Sequence, residues 1–96
     1  MTHLLLEYRL VPDFLERREA FRAEHLGLLE AATQRGELAL GGAVPDLYRS
    51  MMIWREDARE ALAAFVAVDP YVLNGVVESW TVHIWNTAVG TAMAST

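Results

Sequence analysis

The stretch "AFVAVDPYVLNGVVESW", Ala64 to Trp80, decides how this 96-residue chain is organised. An alanine-rich apolar helix runs into Asp69-Pro70-Tyr71, a second short apolar run follows, and a strand-like segment then begins. Proline cannot continue the helix before it but suits the first position of a new turn, with Asp69 as N-cap and Tyr71-Val72-Leu73 as its body. The stretch therefore reads as helix, break, strand. Asp69 also follows Phe65 by four positions and Val66 by three, so it continues the apolar stripe of the helix it ends. A carboxylate there either caps the next turn or is aimed at a partner, and the cap occupies only one of its oxygens.

Upstream, "EDAREALAAFVAV" (56–68) is the body of that helix, with Ala58, Ala61, Leu62, Phe65 and Val66 as its buried stripe. Before it lie two strands, "ELALGGAV" (37–44) and "LYRSMMIWR" (47–55), joined by a Pro45-Asp46 turn. The small residues of the first leave room beside it. From Phe14 to Arg35 apolar residues fall at 14, 15, 21, 26, 28, 29 and 32, which is helical spacing. Asp13, with Glu16 three residues on, reads as a capping box, and Gly36 stands where a C-terminal glycine cap belongs.

At the two ends, "HLLLEYRL" (3–10) and "ESWTVHIW" (78–85) alternate as strands, the first with Leu4, Leu6, Tyr8 and Leu10 on one side. The order βαββαβ predicts an α+β, ferredoxin-like fold: a four-stranded antiparallel sheet with two helices on one face and strands 1 and 3 central. Residues 1–86 are expected to form a single domain and 87–96, small and polar, a flexible tail.

One sheet face is left bare. It carries Leu5 and either Trp80, Val82 and Ile84 or Thr81, His83 and Trp85. So much apolar surface predicts burial against a second copy, a homodimer.

Composition excludes several classes. A net charge of −5, with eight arginines and no lysine, argues against a nucleic-acid surface. With no cysteine, disulfides, thiolate metal sites and a cysteine nucleophile are ruled out. There is no signal-peptide pattern at Met1-Thr2-His3 and no apolar run near the roughly 20 residues that span a bilayer. A soluble cytoplasmic protein without membrane attachment is expected. His3, His25 and His83 lie on separate elements without ligand spacing, so neither metal nor other cofactor is expected.

His25 follows Phe21 by four and precedes Leu28 and Leu29 by three and four, so it leaves from the apolar stripe of the first helix or its edge. Both helices pack on one sheet face, which brings His25 and Asp69 to facing inner sides. A histidine near an apolar face is more often a satisfied core residue than a catalyst. Bonded to a carboxylate, however, one ring nitrogen is fixed and the other becomes a general base or acid near neutral pH.

Several motifs in register with this pair carry a family resemblance. Arg18, Arg22 and His25-Leu26 on the helix, Gly36-Glu37-Leu38 and Gly42-Ala43 on the second strand, and Asp69-Pro70-Tyr71 with Gly75 resemble the YciI-like (YCII-related) proteins. The match runs from Leu4 to about Trp85. It departs where the family's Gly-Pro reads Gly42-Ala43 and where the third strand enters through Tyr48-Arg49-Ser50, with Ser50 in the place of the family's serine. The resemblance implies a ferredoxin-like dimer similar to dimeric α+β barrels and a His–Asp site, carried over to His25 and Asp69. Some members are associated with breakdown of chlorinated or hydroxylated aromatics.

The expected function is cofactor-free acid–base catalysis of the lyase, isomerase or dehalogenase kind on a small molecule, aromatic ones included. His25 and Asp69 are the catalytic pair, and Arg22, Tyr71, Gly42 and Ser50 bind an anionic or phenolic ligand. The alternatives are a non-catalytic ligand-binding or interaction module, in which the pair only ties the helices together, and a cofactor-free oxygenase-type barrel.

Overall fold

The structure, a computed structural model, describes residues 1–93. Strands β1 (Thr2–Leu10), β2 (Leu38–Val44), β3 (Arg49–Arg55) and β4 (Val77–Asn86) form one antiparallel sheet in the order β2-β3-β1-β4. Helices α1 (Phe14–Arg17) and α2 (Arg22–Gln34) cross between the first two strands, α3 (Arg59–Val68) and α4 (Pro70–Leu73) between the last two. This is the α+β arrangement that the order of elements predicts, with strands 1 and 3 in the centre.

The core lies between the helices and one sheet face. Alternation on β1 sends Leu4, Leu6, Tyr8 and Leu10 inward, and β3 adds Met52 and a fully buried Trp54. Leu62, Phe65 and Val66 of α3 close over them, with Ala58 just before the helix, while Ala61 is only partly buried. Cross-strand register settles the bare face: Leu5 pairs with His83, His3 with Trp85 and Glu7 with Thr81. Directly paired residues share a face, so Thr81, His83 and Trp85 are the bare set. Trp80 and Ile84 share the inner side but stay 47% and 58% exposed on the edge strand.

Three local expectations are corrected. The helix over 14–35 is interrupted by a 3-10 turn at Arg18–Phe21, a segment with no buried residue to hold it in α geometry. Asp13 makes no capping hydrogen bond; instead both its carboxylate oxygens accept from Arg17 Nε, at 3.0 and 2.9 Å. The third strand starts at Arg49, because Pro45–Leu47 form a 3-10 turn closed by Tyr48 in the left-handed region, φ 55°. The C-terminal cap is as expected: at Gly36, φ 75°, the helix ends with Gly36 N donating to Thr33 O and Glu37 N to Ala32 O.

Of the tail expected to be flexible, 94–96 lie outside the described residues. Thr87 is tied back to the start of β1, accepting from His3 Nδ1 at 2.7 Å and donating to the Met1 carbonyl at 3.3 Å. Among the described residues, no helix is long and apolar enough to cross a membrane.

Candidate active site

The break read from the Asp69-Pro70 pair builds the site. The extended conformation of Asp69, ψ 118°, ends α3 and starts α4, and its side chain accepts from the Tyr71 backbone N–H at 3.1 Å as an N-cap does. The cap does not exhaust it. The same oxygen, Oδ1, accepts from His25 Nδ1 at 2.8 Å, and Oδ2 accepts from the Tyr8 hydroxyl at 2.7 Å. Asp69 is fully buried and His25 is 5% exposed. Three donors from a strand, a helix and a backbone turn thus meet on one carboxylate.

A carboxylate brings no proton to this network, so the shared hydrogen sits on His25 Nδ1 and Nε2 is left as the free ring nitrogen. Tyr71 fixes the imidazole plane: the two rings stack 3.7 Å apart at 5°. Phe65 flanks the histidine at 5.9 Å. Burial and the neighbouring Asp69 charge push the Tyr8 hydroxyl far above the usual tyrosine range, so it stays a donor. Burial also raises Tyr71, with the charges of Arg18 and Arg22 pulling the other way.

His25 opens onto a cavity of about 120 Å³ between α2 and the sheet. A bulge makes the room. The register of β2 against β3 shifts between Leu38 and Leu40, after which Gly41 faces Met52 and Ala43 faces Ser50. Residues with little or no side chain therefore stand opposite His25, where an unbroken alternation would have placed Leu40. Arg22, Tyr71, Gly42 and Ser50 all border this cavity. The Ser50 hydroxyl, 3.3 Å from the Gly42 carbonyl, is held by that strand contact.

Tyr8 and Arg18 are the polar residues of the site that sequence reasoning does not place there. Alternation puts Tyr8 on the apolar face of its strand, but a buried tyrosine among leucines carries a hydroxyl that needs a partner, and that is its signal. Arg18 lines the cavity beside Arg22. A larger groove of about 680 Å³ lies on the bare sheet face, across the sheet from the His25–Asp69 pair, and shares Gly41, Gly42 and Ala43 with the His25 cavity. Among the described residues no cluster of His, Asp or Glu suited to a metal ion occurs.

The sequence profile of the YCII-related domain matches residues 1–86. The chain belongs to the YCII-related family. No curated protein matches it at the sequence level. Among solved structures, this YCII-related chain is similar to 5-chloro-2-hydroxyhydroquinone dehydrochlorinase from Burkholderia phenoliruptrix AC1100, in complex with 2,5-dihydroxybenzoquinone. The TM-score is 0.70 and the identity 21%, over 90% of this chain and 95% of that one. A protein from Agrobacterium tumefaciens aligns at TM-score 0.48 and 21% identity, over 92% of this chain and 94% of that one. At such identities the first likeness is one of fold.

Proposed function

We propose that this YCII-related protein is a cofactor-free acid–base enzyme acting on a small single-ring molecule, with His25 as the proton-transferring group and Asp69 as the residue that orients it. The observation that carries this reading is the buried Tyr8–Asp69–His25 chain ending at a cavity. In the reaction, His25 Nε2 takes a proton from an O–H or C–H of the substrate. The electron pair left behind forms a new π bond and either relocates a double bond or expels a leaving group such as chloride. Asp69 stabilises the imidazolium, which then returns its proton to product or water. A dehydrochlorinase among the similar folds supports this reaction class as a proposal for the present chain.

The test is a panel of chlorinated and unchlorinated hydroquinols in D2O, followed by proton NMR for exchange or elimination and by a chloride electrode. At least one member should turn over, and His25→Asn should slow it about 100-fold, the low end of what a general base contributes. A panel left untouched by the wild type, or turned over equally by both proteins, overturns the reading. Binding without turnover would favour a ligand-binding module, consistent with both Asp69 oxygens being occupied by protein donors.

We also propose that two copies pair through the bare sheet face. Leu40 and Trp85 on that side are 68% and 45% exposed, around the larger groove, and a second identical face is apolar enough to cover them. Sedimentation at micromolar concentration should give twice the chain mass. A species of 10.8 kDa alone would remove the dimer.

A further inference from the structure

Four of the eight arginines stand beside carboxylates: Arg17 with Asp13, Arg35 with Glu37, Arg49 with Glu7 and Arg55 with Asp57, while Arg9 and Arg59 lie exposed on the surface. Arg18 and Arg22 have no such partner among the described residues, and both line the cavity that holds His25. Arg18 is the more unusual of the two. Its Nε is shielded from solvent and makes no hydrogen bond among the described residues. Its guanidinium carbon lies 5.8 Å from the centre of the Phe14 ring, packed over an apolar neighbour. A buried charged donor without an acceptor is costly and seldom kept without a use. The one carboxylate in the site, Asp69, is already taken by Tyr8, His25 and Tyr71.

The size of the space limits what can answer Arg18. A cavity of about 120 Å³ is near the roughly 150 Å³ that holds a benzene ring. Phe14, Val76 and Leu10 give it apolar walls, and the two guanidiniums are a positive spot on a chain of net charge −5. A guanidinium edge matches two coplanar oxygens and adds directionality that a point charge lacks.

We propose that Arg18 is the specificity-determining anchor of this cavity and that it selects a planar oxyanion carried on a single ring, a carboxylate or an ionised enol. The ring lies between the apolar walls, and its oxygens accept from the guanidinium of Arg18. Arg22, exposed at the same cavity, adds charge. This rests on the same cleft being the functional site, and it names what that site takes.

The experiment needs no turnover. Benzoate and the enolate of 1,3-cyclohexanedione are titrated into the full chain, with benzamide as the neutral control, and binding is followed through the arginine Nε–H resonances. The Arg18 signal is identified by its loss in Arg18→Met. At least one anion should bind and shift that signal, and which one binds identifies the oxyanion type. Arg18→Met should weaken binding roughly 10- to 100-fold, as loss of charge-assisted hydrogen bonds implies. Arg18→Lys should recover part of the affinity, and Arg17→Met, one residue away and paired with Asp13, should keep all of it. If neither anion binds, if benzamide binds as well, or if Arg17→Met loses as much as Arg18→Met, the assignment fails. The proton-transfer reading of His25 stands or falls separately, on the hydroquinol panel.

Discussion

Asp69→Ala should destabilise the protein by about 3–5 kcal/mol, because it strands three buried donors at once. The Tyr8 hydroxyl, His25 Nδ1 and the Tyr71 amide all lose their acceptor, and α4 loses its cap. Asp69→Asn should be much milder, at about 1–2 kcal/mol, and the geometry says which bond suffers. Tyr71 N and His25 Nδ1 both donate to Oδ1, so an asparagine must place its carbonyl oxygen there; its amide nitrogen would otherwise face a backbone N–H. The NH2 group then falls on the Oδ2 side, against Tyr8, whose hydroxyl can accept instead of donating but loses its charged partner. The cap survives, and so does the Nδ1–H tautomer of His25. In the Ser-His-Asp triad the same change leaves the histidine in the wrong tautomer. Here a backbone amide holds the orientation. Urea unfolding measures the stabilities, and nitrogen NMR of the histidine ring reads the tautomer. A cost below about 1 kcal/mol for the alanine variant would mean the network is not formed, since one unsatisfied buried donor alone costs that much. A His25 carrying its hydrogen on Nε2 in the asparagine variant would refute the orienting role of Tyr71.

The parts of this site that sequence revealed are those written in periodicity. Spacing along two helices brought His25 and Asp69 to facing surfaces, and the Asp-Pro pair marked the turn that puts a carboxylate at the end of a buried stripe. Alternation assigned Leu4, Leu6 and Tyr8 to the covered face. Cross-strand register was not legible, because both parities of the last strand carry a tryptophan, Trp80 and Trp85; only pairing with β1 separates them. The bulge beside Leu40 was equally hidden. It leaves no mark in a run of Leu, Ala and Gly, yet it decides that Gly41 and Ala43 line the cavity. Asp13 shows a local rule overridden by a stronger competitor, a charged arginine one turn ahead. Tyr8 was visible as a residue and not as a role, because its hydroxyl partner lies 61 positions away.

The second large effect is a loss of stability in alkali that runs through Tyr8. Three tyrosines and no lysine or cysteine leave the range from about pH 9 to 12 nearly free of other side-chain titrations. Burial raises the Tyr8 hydroxyl most, and the Asp69 charge and the hydrogen bond to it add to the rise. A raised folded value favours the protonated folded form, so its stabilisation is fully present below the unfolded value of about 10. It is lost as pH climbs toward the folded one, because the unfolded chain ionises and the folded chain does not. The slope from Tyr8 alone approaches about 1.4 kcal/mol per pH unit above the unfolded value, a total loss of about 2.7 kcal/mol by about pH 12. Tyr71 is raised as well and adds a loss of the same sign. Tyr8→Phe separates the two. At neutral pH it should cost about 1.5–3 kcal/mol, since one oxygen of a buried carboxylate is left without its donor. Above about pH 10 it cannot suffer the Tyr8 penalty, so its stability curve is flatter and the two curves converge near about pH 12. Urea midpoints measured every half unit in both proteins test this. Curves that stay parallel through that range would mean Tyr8 ionises in the folded protein as readily as in the unfolded chain, and the buried Tyr8–Asp69 bond would have to be given up.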